Sequence, residues 1–121
     1  MLETIRILVI PTSSKPFAET VTPDQFHDTI QHLIRGQIEG IELLPDIQLI
    51  VHRDRVEYGL PINTNIRSRS IRGTVIVVRH DEFGEPLPLS DEHVQAALHL
   101  LGMDAKLPNQ AVTFPKRIWD Y

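Results

Sequence analysis

A chain of 121 residues with 41% hydrophobic and 23% charged content has the size and composition of one folded domain, which makes two domains or a disordered chain poor readings. It contains 0 Cys, so a disulfide framework, a thiolate metal site and a cysteine nucleophile are excluded, in keeping with a reducing, cytoplasmic setting. The longest aliphatic runs, Ile7 to Ile10 and Val75 to Val78, are too short to span a bilayer, and the formal net charge of -4 disfavours non-specific binding to duplex nucleic acid.

Taken along the chain, Thr4 to Ile10 is apolar and β-branched almost throughout, as in a strand buried on both faces, and Pro11 to Pro16 breaks it. Phe17 to Val21 suits a short strand pairing back as a hairpin. A helix start follows, with Thr22 as N-cap, Pro23 at the first helical position, Gln25 three residues after the cap and Val21 placed to staple onto Phe26. Phe26, Ile30, Leu33 and Ile34 form its apolar face, and Gly36 is the expected left-handed C-cap. Ile38 to Leu44 and Ile47 to Val51 then read as a hairpin around Pro45-Asp46.

Between Val56 and Ser70 the periodicity fades into turn chemistry, notably Gly59-Leu60-Pro61-Ile62-Asn63-Thr64-Asn65. Ile71 to Val78 is a strong strand in which Gly73 suggests a bulge or a close backbone approach. After a turn at Asp81 to Pro88, Ser90 caps a second helix, with Asp91 and Glu92 in its first turn, Leu89 stapled to Val94, and Val94, Ala97, Leu98 and Leu101 facing the core. The pattern predicts a small α+β domain over residues 1–102. It has a mixed or antiparallel sheet of about five strands with two helices packed on one face. Residues 103–121 form a C-terminal extension in which Phe114, Ile118, Trp119 and Tyr121 are anchors for docking on the domain itself or on a second protomer, giving a homodimer.

Several of these segments together resemble the domain-of-unknown-function family 3846, over roughly residues 4–102. The resemblance is carried by Leu33-Ile34-Arg35-Gly36-Gln37-Ile38-Glu39, Gly59-Leu60-Pro61-Ile62-Asn63, Ile71-Arg72-Gly73-Thr74-Val75 and Leu89-Ser90-Asp91-Glu92. It implies a single compact cytoplasmic domain of bacteria, their phages and plasmids, and transfers no activity.

The chemistry-bearing residues favour binding over catalysis. His27 and His32 are five residues apart and His93 and His99 six apart, neither being the four-residue spacing that aligns two ligands on a helix, so no metal or other cofactor is expected. Pro45-Asp46 with Asp54 or Glu57 lacks the lysine of a metal-dependent nuclease, since none occurs between Lys15 and Lys106. Ser13, Ser14 and Lys15 have no histidine fixed beside them and read as a plain loop.

The distinctive feature is a stretch from Arg53 to Arg79 that holds six arginines against Asp54 and Glu57, a local charge of +4 in an acidic chain. If the strand ending near Val51 continues to Glu57, Arg53 and Arg55 point to one side, as do Arg67 and Arg69. The turn-rich loop between them would bring four guanidinium groups together, with Asn63 and Asn65 available to orient the loop or read a ligand edge. The expected ligand is a nucleotide or another phosphate-bearing small anion. The same arginines also fit a solvated sheet face, and the alternative function is a protein-interaction module acting through the aromatic tail and an acidic surface.

Overall fold

The structure is a computed structural model that describes residues 4–66 and 70–103. The elements are β1 (Ile5–Ile10), β2 (Phe17–Val21), α1 (Phe26–Ile34), β3 (Ile38–Leu44), β4 (Ile47–His52), β5 (Val75–His80), β6 (Pro86–Leu87) and α2 (Asp91–Leu100). Five strands lie in the order β2-β1-β5-β4-β3, the short β6 pairs with β5, and every pairing is antiparallel. This is the α+β architecture expected from the pattern.

The two helices do not share a face, contrary to expectation. Strand side chains alternate, and β1, β4 and β5 are apolar on both sides, so each face of the sheet needs its own cover. Ile5, Ile7, Val9, Ile50, Ile76 and Val78 pack under Phe26, Ile30 and Ile34 of α1. On the opposite face Leu8, Ile10, Leu49, Val51, Val75 and Val77 pack under Val94, Ala97 and Leu98 of α2, with Leu101 just beyond it.

Three local expectations are revised. The turn Pro23–Gln25 precedes α1 as a 3-10 helix, closed by Gln25 N–H donating to Thr22 O at 3.0 Å, and the Thr22 hydroxyl makes no cap bond. The left-handed residue after α1 is Arg35, with φ 66°, rather than Gly36. Gly36 serves a different purpose, because a Cβ there would lie 2.4 Å from Nε2 of the His52 ring. The strand expected from Ile71 begins only at Val75, since Arg72 forms an isolated bridge with Ile62 and Gly73 turns the chain with φ 83°.

The start of α2 holds to expectation and adds a titratable group. Ser90 Oγ accepts from His93 N–H at 3.2 Å, and Ser90 N–H donates to His93 Nδ1 at 3.1 Å, a capping box in which imidazole replaces the usual Glu or Gln. Burial, reinforced by the Arg79 charge and opposed by Asp46 and Glu92, holds the His93 pKa below its ordinary 6.5. The unfolded chain therefore binds a proton more readily than the folded one. This contribution to stability is complete above pH 6.5 and is lost as pH falls from there through the lower folded value. Thermal midpoints measured across this window should fall more steeply for the natural chain than for His93→Gln, which keeps the cap without titrating; equal slopes would refute the assignment.

Candidate functional site

Residues 53–66 and 70–74 gather at one end of the sheet, where β1 and β4 finish and β5 begins, while Arg79 lies toward the other end, opposite Ile47 at the start of β4. Three consecutive polar residues staple the gathered loops together. Asn63 is 0% exposed, and its side-chain amide donates to Ile10 O at 2.9 Å and Gly73 O at 3.0 Å while Oδ1 accepts from Asn65 N–H at 3.0 Å. Thr64 Oγ1 donates to Thr12 O at 2.9 Å, and Asn65 Nδ2 donates to Pro11 O at 2.6 Å and Ser14 O at 2.8 Å. Backbone bonds from Asn63 N–H to Ile71 O and from Gly73 N–H to Pro61 O close the same knot. Both amide protons of Asn63 are consumed inside the fold, so of its two suggested roles the structure displays the ordering of the loop.

The arginines are not arranged as a continued strand would arrange them. β4 ends at His52 and residues 53–59 form successive turns, so Arg53 and Arg55 share no strand face. Arg55 is committed, donating from Nη1 to Glu39 Oε1 at 3.0 Å and to His52 O at 3.1 Å. Arg53 is exposed, and its Nε lies 3.6 Å from Asp54 Oδ1. Arg72 donates to Leu60 O at 2.9 Å and braces the loop. Arg67 and Arg69 lie outside the described residues, as does the tail with Phe114, Ile118, Trp119 and Tyr121.

Beside this knot is a cleft of about 350 Å³ lined by Arg35, His52, Tyr58, Leu60, Gly73 and Thr74, among others. Gly73 keeps it open toward Leu60, whose Cδ1 would stand 2.9 Å from an added Cβ. The Tyr58 ring, 69% exposed, meets the buried His52 ring edge-on at 5.1 Å, and His52 Nδ1 accepts from Asp54 N–H at 3.0 Å. Sequence reasoning missed Arg35 and His52 as partners of this loop. Arg35 sits on the far side of a helix end and His52 reads as a strand terminus, so only the tertiary fold joins them.

A second, more apolar groove of about 450 Å³ lies on the α1 face of the sheet, with Gly40, Gln48 and Val78 in its floor and Phe26 and His27 in its wall. At its end Arg79 pairs with Asp46 at 3.3 Å, and His80 Nδ1 bonds Asp81 O at 2.8 Å. Among the described residues no three His, Asp or Glu side chains are placed to hold a metal, and no helix is long and apolar enough to cross a membrane.

An antiparallel sheet held between two helices, with a loop knot at one end, defines a small α+β domain. The family described as Domain of unknown function (DUF3846) matches residues 5–102, and the chain belongs to it. No curated protein and no solved structure matches the chain.

Proposed function

We propose that this protein is a non-catalytic binding domain of the cytoplasm, an accessory factor of a mobile element or its host, that takes a small phosphate-bearing anion in the cleft beside Tyr58. The observation that carries this reading is Arg35. It is exposed in the wall of a cleft it shares with the largely exposed Tyr58, and makes no hydrogen bond or ion pair to another side chain among the described residues. A guanidinium fork suits phosphate, and Tyr58 suits a base or other flat group. The α1 C-terminus beside Arg35 opposes an anion with about half a unit charge, which the full charge of Arg35 outweighs and exposed Arg53 supplements. The stapled loops favour binding because their ordering cost is already met in the free protein.

Thermal unfolding against nucleotides, cyclic dinucleotides and inorganic phosphate tests the reading. A ligand at one hundred times its Kd adds about 2.7 kcal/mol, a rise of several degrees for a domain of this size. The expected result is a rise with one nucleotide class, little with phosphate alone, and loss of the rise in Arg35→Ala and Tyr58→Ala. A flat panel, or a rise unchanged in both variants, overturns it.

A further inference from the structure

We infer that the outer edge of β3 is an interface for a second copy of this chain, the two β3 strands pairing antiparallel about Gly40. The inference is independent of the anion cleft.

Among the described residues β3 is the longest strand, 7 residues, and ends the sheet. Its hydrogen-bond polarity follows from its pairing with β4. Arg53 N–H donates to Gln37 O at 2.8 Å, in register with Ile38↔His52, Glu39↔Val51 and Gly40↔Ile50. Because hydrogen-bonded and non-hydrogen-bonded pairs alternate in an antiparallel ladder, residues 37, 39 and 41 direct their backbone groups at β4. Ile38, Gly40 and Glu42 direct theirs outward, and Gly40 and Glu42 are exposed. The opposite edge, β2, is shorter and directly preceded by Lys15-Pro16, a common guard against strand addition. β3 contains neither lysine nor proline.

Charge then selects the register. Pairing about Gly40 sets Gly40 opposite Gly40 of the second copy, Ile38 opposite Glu42 and Glu39 opposite Ile41, uses all three outward residues and makes about six backbone hydrogen bonds. Sliding one way sets Glu39 against Glu39, and sliding farther the other way sets Glu42 against Glu42, both unfavourable. The intermediate register runs Ile38 into the irregularity between Glu42 and Leu44.

Sedimentation equilibrium of the full chain should give a two-chain mass, and Gly40→Glu, which sets like charges at the centre, should return it to one chain. The sequence has 0 Cys, so any disulfide in Gly40→Cys joins two chains. Facing Cα atoms in such a pair are about 5.5 Å apart, within disulfide reach. The atoms nearest the new Cβ belong to the flexible end of Gln48, with Oε1 at 3.1 Å. Mild oxidation should cross-link Gly40→Cys far faster than Thr20→Cys on the β2 edge. A one-chain mass at every concentration overturns the inference, as does a two-chain mass with no preference for Gly40→Cys. If Gly40→Glu fails to fold, those two measurements decide.

Discussion

Asn63→Asp is expected to destabilise the fold more than Asn63→Ala, although Asp fills the same space and Ala leaves a hole. The amide of Asn63 spends both protons on Ile10 O and Gly73 O. A carboxylate would put an acceptor-only group against those two carbonyl oxygens in a position that is 0% exposed. The alanine variant loses the bonds and leaves buried backbone groups unmet, at about 2–4 kcal/mol, a large part of the usual 5–15 kcal/mol for a domain. The aspartate variant adds repulsion to that loss. Urea unfolding of the two variants beside the natural chain checks the order. If Ala proves the worse, packing rather than hydrogen bonding holds the loops.

Gln95→Met has the opposite expected sign. Gln95 is 1% exposed in α2, and neither Oε1 nor Nε2 of its amide has a hydrogen-bond partner among the described residues. An amide buried without partners forfeits its hydration and recovers nothing, whereas Met occupies a similar volume with no such demand. The substitution should raise stability by about 1–3 kcal/mol, visible as a thermal midpoint several degrees higher. A lowered midpoint would mean that the amide is engaged after all.

Much of the fold was legible because its signals are local. Alternating or continuous apolar runs mark β1, β4 and β5, and Ser90 with Leu89 marks the start of α2. The placement of the helices was not, although the apolar residues on both sides of β1 already required cover on both faces. At the C-terminus of α1 the rule that glycine takes the left-handed position fails by one residue, because Gly36 is needed where the His52 ring presses in and Arg35 is left to make the turn. The alternation argument for Arg53 and Arg55 assumed a strand that stops at His52, with no glycine or proline before Gly59 to announce the turns. Asn63 stood out in the sequence as a loop residue, but its partners Ile10 and Gly73 lie 53 and 10 positions away, beyond any local pattern.

The strand order bears on how the molecule assembles. β1 with β2 and β3 with β4 are neighbours in sequence and can each close as a local ribbon, yet they touch in the sheet only through β5. Without Val75–His80 the two ribbons share no backbone bond within the sheet, and the inner edge of each leaves N–H and C=O groups unpaired. Closing those distant pairings carries a loop-entropy cost that slows folding. β5 is therefore the keystone, the strand whose pairing with both β1 and β4 turns two ribbons into one sheet.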